Sequence, residues 1–168
     1  KVVQDLFRHL RIHCKKKAKN IMDMEKLKEE IKADEGVIYE VYNDHLGYKT
    51  CGVGHLCRAT DPENQLEVGD PVSVERVDEL FEKDLHITIE ECRKLYEFFD
   101  DLPEDAKRII ANMMFNLGRP RLTKFRKMYE AVMDANWIEA AIQMEDSKWA
   151  RQVPNRAERL CERMRNVA

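Results

Sequence analysis

The sequence predicts an α+β chain, mostly helical, with a small antiparallel β lobe, a larger helical lobe and one long helix joining them. Three observations carry this. Apolar residues recur three and four apart through most of the 168 residues, the period of helices with one buried face. Residues 37–53 alternate instead and are broken by Gly47 and Gly52, as strands separated by tight turns are. Residues 73–95 form one unbroken helical stripe, and even some twenty residues of it would run about 30 Å at 1.5 Å per residue, enough to span two lobes.

In chain order, residues 1–22 read as a basic amphipathic helical extension. Val3, Phe7 and Leu10 share a stripe, and Lys15-Lys16-Lys17-Ala18-Lys19 follows. Such a helix either lies on an anionic surface or docks its apolar face on the domain beside it. Met24, Leu27 and Ile31 set a helix that runs to Glu35 and stops at Gly36. Strands over 37–42 and 48–53 come next, joined by a turn through Asp44, His45, Leu46 and Gly47. Residues 58–70 are polar, carry Pro62 and Gly69, and read as loop. Ser73 is placed to cap the long helix, whose stripe is Val77, Leu80, Phe81, Leu85, Ile89, Cys92 and Leu95. Beyond Pro103 the chain is helical in pieces, interrupted at Gly118-Arg119-Pro120 and at Asp134-Ala135-Asn136, with Pro154 opening the last helix. The expected organisation is an extension over 1–22 and a domain over 23–168. Within the domain the β lobe takes about 36–72, the helical lobe 23–35 and about 95–168, and the connecting helix about 73–94.

The net charge of −3 conceals an asymmetry: residues 1–20 carry +6, leaving −9 for the rest. No apolar run approaches the 18 or so residues of a membrane span. The sequence begins at Lys1, so the route of export is left open. Cys14, Cys51, Cys57, Cys92 and Cys161 are odd in number and scattered, which favours reduced structural thiols over a disulfide framework. Cys51, His55 and Cys57 would share a strand face, but no fourth ligand is evident and no metal or other cofactor is expected.

The chemistry concentrates in residues 32–56. Glu35 ends the first helix and Asp44 sits nine residues on, at the turn. A Glu at a helix end is ordinarily solvated surface, and an Asp in a turn ordinarily bonds its own backbone. Two carboxylates brought face to face by glycine turns are also the equipment for cleaving a glycosidic bond. Asp34-Glu35-Gly36, Tyr42-Asn43-Asp44, Gly47-Tyr48, Thr50 and Gly52-Val53-Gly54-His55-Leu56 together resemble the catalytic segment of the phage-type lysozymes, acid-to-aspartate spacing included. Asn112-Met113-Met114-Phe115-Asn116-Leu117-Gly118 resembles that family's central buried helix. Ser147-Lys148-Trp149 through Gln152-Val153-Pro154-Asn155-Arg156-Ala157 resembles its C-terminal signature. The resemblance covers roughly residues 24–168 and implies a lysozyme-like two-lobed fold, with residues 58–70 shorter than is usual in the family.

What the resemblance implies of function is a muramidase. It would hydrolyse the β-1,4 bond between N-acetylmuramic acid and N-acetylglucosamine in peptidoglycan by an inverting acid–base mechanism. Glu35 would be the general acid, Asp44 the base, and Thr50 would help hold the attacking water. Leu56, Phe115, Met128 and Gln143 fall at the family's sugar-contact positions. Arg156 matches an arginine that pairs with the acid's helix end, and His55 with Asp84 match a structural ion pair. Trp137 and Trp149 are read as core. The expected partner is the peptidoglycan glycan strand, met by a monomer secreted or released onto the bacterial cell wall, with no nucleic acid involved. A catalytically weak peptidoglycan-binding module of the same fold is the alternative, and the intact Glu35, Asp44 and Thr50 argue against it. A transglycosylase lacking a usable base is opposed by Asp44.

Overall fold

The computed structural model describes residues 21–168, so the amphipathic helix expected in the N-terminal extension falls outside the described residues. The chain is mostly helical with one small antiparallel sheet, and it divides into two compact units. One is Lys28–Ile89. The other is residues 21–27 together with Glu90–Ala168.

Helix α1 (Met24–Glu35) starts where the Asp23 carboxylate accepts the Lys26 amide at 3.1 Å, leaving one fewer orphan donor in the first turn. Leu27 and Ile31, four apart, are completely buried. Gly36 ends the helix at φ +76°, its amide closing on the Lys32 carbonyl at 2.9 Å. Strand β1 (Ile38–Asn43) pairs antiparallel with β2 (Lys49–Gly52), which pairs antiparallel with β3 (His55–Leu56), so the sheet order follows the chain. The sequence reading had two strands; the third arises because Gly52-Val53-Gly54, with both glycines at positive φ, turns the chain back between the paired Cys51 and His55. The register is Tyr42 opposite Thr50 and Cys51 opposite His55, with an irregularity in β1 between Ile38 and Tyr42.

The polar loop contains a 3₁₀ turn at Pro62–Gln65 and then runs back along β1, exchanging backbone bonds between Val41 and both Gly69 and Asp70 and between Val72 and Tyr39. The open edge of the sheet is thereby covered. Glu63 is buried beneath it and takes Arg76 bidentately, Nε to Oε1 at 2.7 Å and Nη2 to Oε2 at 3.1 Å. That pairing outweighs the cost of burying Glu63 and holds its carboxyl below the usual range. Helix α2 (Val74–Leu95) is capped as expected, the Ser73 hydroxyl accepting the Arg76 amide at 3.2 Å. Its inner face joins Val77 and Leu80 to Val41, Cys51, Cys57 and Val72 in the core under the sheet.

Residues 28–35 of α1 pack with this unit, whereas the sequence grouped the whole helix with the helical lobe. The reason lies on α2. Lys28 pairs with Glu82, and Lys32 with Asp78 at 3.0 Å while its ammonium lies 5.3 Å from the Phe81 ring centroid.

The other unit is built on α3 (Glu104–Leu117), whose Ile109, Ile110 and Met113 are wholly buried. Gly118 ends it, and α4 (Arg119–Leu122), α5 (Arg126–Met133), α6 (Trp137–Glu145), α7 (Lys148–Gln152) and α8 (Pro154–Arg165) follow. Asn136 caps α6 by accepting the Glu139 amide, and Ser147 caps α7 by accepting that of Ala150. Tyr96, Phe98 and Tyr129 stack with ring centroids 5.1 to 5.8 Å apart. Trp149 is core, its indole N–H donating to Asn116 at 2.9 Å, while Trp137 is only half-buried.

Candidate active site

The three residues expected to do chemistry all belong to the unit that holds the sheet. Glu35 is the last helical residue of α1, presented where Gly36 turns the chain away. Asp44 follows β1 directly and organises the hairpin turn. Its Oδ1 accepts the amides of Leu46 at 2.8 Å and Tyr48 at 2.9 Å, and its own amide donates to the Tyr48 carbonyl. Gly47 completes the turn at φ +85°, a conformation other residues avoid.

Thr50 stands one strand position beyond Lys49 and is buried, its hydroxyl donating to the same Tyr48 carbonyl at 3.0 Å. The Tyr48 backbone therefore ties Asp44 and Thr50 into one rigid group. With its proton committed to Tyr48, the Thr50 oxygen presents lone pairs, as a group meant to orient a water would. The Asp44 carboxylate is acceptor-rich, and the amide bond from Tyr48 holds its pKa below the usual value.

Tyr42, opposite Thr50 in the register, reports on both carboxylates. Its phenol is pushed up first by burial, then by the Cys51 thiol and by the negative charges of Asp44 and Glu35. Both acids thus lie within electrostatic reach of one side chain, and the arrangement can supply a proton donor, a base and a fixed hydroxyl.

A second polar cluster sits in the same unit. His55 Nδ1 lies 2.6 Å from Asp84 Oδ2, so the pair expected from sequence is in contact. What sequence reasoning missed is Asp61, whose Oδ2 lies 3.1 Å from His55 Nε2 and 2.8 Å from the Arg58 amide. Asp61 precedes Pro62 and looks like a cap for the 3₁₀ turn, yet its side chain makes no cap bond there. Its position six residues after His55 was the signal available. A carboxylate against each ring nitrogen is satisfied only by the imidazolium, which donates from both. The Asp84 hydrogen bond accordingly raises the His55 pKa against the opposing effect of burial. Burial works to raise the Asp61 pKa too, but the Arg58 amide and His55 prevail and leave it lowered.

Both His55 nitrogens being engaged, it is not placed to join Cys51 and Cys57 around a metal, and no group of three or more ligating side chains among the described residues is so placed. Cys51 and Cys57 instead touch each other, sulfur to sulfur at 3.8 Å, in the core. Burial pushes the Cys51 thiol up to about 12.

The model of the phage lysozyme family matches residues 32–166. The chain belongs to the phage lysozyme family. Among relatives, it is 32% identical over 153 residues to probable T4-type lysozyme 2 of Dictyostelium discoideum, covering 80% of this chain and 90% of that one. A second protein of the same organism, probable T4-type lysozyme 1, is 31% identical over the same shares. The pre-baseplate central spike protein Gp5 of Enterobacteria phage T4 is 27% identical, over 79% of this chain and 26% of its own length.

The remaining positions drawn from the phage lysozyme resemblance fare differently. Leu56 is 48% exposed at the end of β3. Phe115 on α3 and Gln143 on α6 are half-buried, Gln143 donating to Glu139 Oε1 at 2.7 Å. Met128 needs correcting. It is 0% exposed, because α5 turns it into the helical core, so its side chain is not available to a sugar. Arg156 is buried in the helical unit, its Nε donating to Asn112 Oδ1 at 2.9 Å.

Proposed function

We propose that this phage lysozyme is a peptidoglycan hydrolase of the muramidase type, cutting the β-1,4 bond between N-acetylmuramic acid and N-acetylglucosamine with inversion. The observation that carries the reading is the Asp44–Tyr48–Thr50 group. It offers an ionised carboxylate and a hydroxyl acceptor, both fixed by one backbone unit, in the same compact unit as a second carboxylate at the end of α1. The names of relatives agree: one, from Pseudomonas phage phiKMV, is called peptidoglycan hydrolase gp36 and is 27% identical over 74% of this chain and 13% of its own length.

In this mechanism Glu35, protonated, gives its proton to the glycosidic oxygen as the bond to the anomeric carbon breaks. A water whose protons face Asp44 and Thr50 Oγ1 attacks that carbon from the opposite side, and Asp44 takes the proton it loses. Asp44 acts on water rather than on the sugar, so the configuration inverts. Leu56, 48% exposed in the unit that carries both acids, is the apolar position there that would meet a sugar face. Two carboxylates and a water complete the chemistry.

Purified peptidoglycan incubated with the parent should lose turbidity, with the new reducing end appearing first as the α-anomer by NMR. Glu35→Gln keeps the shape but has no proton to give, and should lose about a hundredfold to ten-thousandfold in rate. A folded Glu35→Gln protein with more than about a tenth of the parental rate, or a β-anomer formed first, overturns the assignment.

A further inference from the structure

An acidic enzyme approaching an anionic wall is repelled rather than steered. In this chain the burden is uneven: Lys28–Ile89 carries a net −9, while residues 21–27 with Glu90–Ala168 balance to zero. Within that balanced unit a good share of the cations pair with carboxylates. Arg93 pairs with Glu90 and Asp100, Lys94 and Arg119 with Glu91, Arg108 with Glu104 and Asp105, Arg163 with Asp105, and Arg165 with Glu145.

Of the exposed cations that meet no carboxylate, four fall within the seven residues from Arg121 to Lys127, while Lys148 and Arg151 stand apart in the sequence. Arg121, Lys124, Arg126 and Lys127 are all exposed, and none meets a carboxylate among the described residues. The sequence has no acid between Gly118 and Tyr129, and the nearest, Glu130, lies one turn on without bonding to any of the four. The backbone compresses them. Thr123, Lys124 and Phe125 amides close on the carbonyls of Arg119, Arg121 and Leu122, so the chain between α4 and α5 is a tight turn and not an extended segment.

We infer that the α4–α5 turn is a docking surface for a phosphodiester polyanion of the cell wall, of the poly(glycerol phosphate) class. Density of charge selects this partner. Four cations packed this closely need anions at comparable spacing along one flexible chain, which a polyphosphodiester provides. Peptide-stem carboxylates come in small groups on stems set a disaccharide apart, so they form no continuous run of anions along one chain. Two guanidiniums present forks matched to phosphate oxygens, and the two ammoniums add point charge. Binding there would hold the enzyme at the wall against the repulsion of its acidic unit, whether or not the bond it cuts is the one proposed above.

The test uses the full chain carrying Glu35→Gln, so that walls stay intact, and measures co-sedimentation at low salt. One sample of walls bears poly(glycerol phosphate); the other has had it removed with hydrofluoric acid. The quadruple variant R121Q/K124Q/R126Q/K127Q is compared with the charge-matched control K26Q/K94Q/K148Q/R151Q, and thermal melts confirm that both are folded. Residues 1–20 are present in every arm, so their own charge cancels. The starting protein and the control should bind phosphate-bearing walls about tenfold more tightly than stripped ones, each exposed pairing contributing modestly. The quadruple variant should lose that difference. Equal binding to the two wall samples, equal weakening by both variants, or weakening on stripped walls alone would each overturn the inference, the last by pointing to carboxylates.

Discussion

Asp44 has two duties that substitution can separate. One is structural: Oδ1 accepts the Leu46 and Tyr48 amides and so shapes the hairpin turn. The other is the negative charge the proposed mechanism uses. Asparagine keeps a carbonyl oxygen where Oδ1 stands, so Asp44→Asn should melt close to the parent while losing about a hundredfold to ten-thousandfold in rate. Asp44→Ala loses both duties and should also melt lower. If Asp44→Asn retains parental kcat/KM, the carboxylate serves only the turn. The pH profile gives an independent reading. The Tyr48 amide bond lowers the Asp44 pKa, so the carboxylate stays ionised into more acidic solution than an ordinary aspartate would. The acid limb of kcat/KM should therefore lie below about pH 4.

At the scale of elements, two turn residues carry opposite expectations. Gly52 ends β2 at φ +61°, and a Cβ there would lie 3.1 Å from the Val77 Cγ1 on α2. Gly52→Ala should cost about 1–2 kcal/mol from the backbone conformation alone, more if Val77 cannot yield. Ala135 is the non-glycine residue at positive φ among those described, +53°, between α5 and α6. Ala135→Gly should gain up to about 1 kcal/mol in urea unfolding, the relief of strain exceeding the added entropy of the unfolded chain. A loss at Ala135→Gly would show that its methyl packs usefully. These turns also mark how far the sequence could be read. The limits of α1, the start of α2 at Ser73 and the breaks at Gly118 and Asn136 were legible, because caps, glycines and prolines act locally. Strand β3 was not, since two residues carry no periodicity. Nor was Met128: helical spacing alone cannot tell a core methionine from one at a cleft. The Glu63–Arg76 and His55–Asp61 pairings were hidden for a different reason, being settled by where a polar loop folds back.

For the molecule as a whole, the cluster on His55 should set the pH dependence of stability. It joins β3, the polar loop and α2 through one ring, with His55 and Asp61 almost fully buried and Asp84 19% exposed. Lys83 approaches Asp61 Oδ1 at 3.7 Å and adds a further charge facing the group. The His55 pKa is raised in the folded state, so its contribution is complete below about 6.5 and fades as pH climbs through the folded value. That of Asp61 is lowered, so its contribution is present above about 3.9 and fades as pH falls through the folded value. The cluster should stabilise most between about pH 4 and 6.5. Above that window the neutral ring can donate to one carboxylate only, and its other nitrogen turns a lone pair toward the second. Removing the ring inside the window takes the imidazolium from both carboxylates and leaves the deeply buried Asp61 only the more distant Lys83, and breaking a buried pair costs up to about 3–5 kcal/mol. His55→Asn should therefore lower the melting temperature strongly at pH 5.5 and much less near pH 10, with the rate per folded molecule little altered. Asp61→Asn should reproduce part of that loss at pH 5.5, because one hydrogen bond to the ring remains with Asp84. Thermal melts of parent and variants at both pH values decide it: equal losses at pH 5.5 and 10 would mean that His55 fills space without carrying charge.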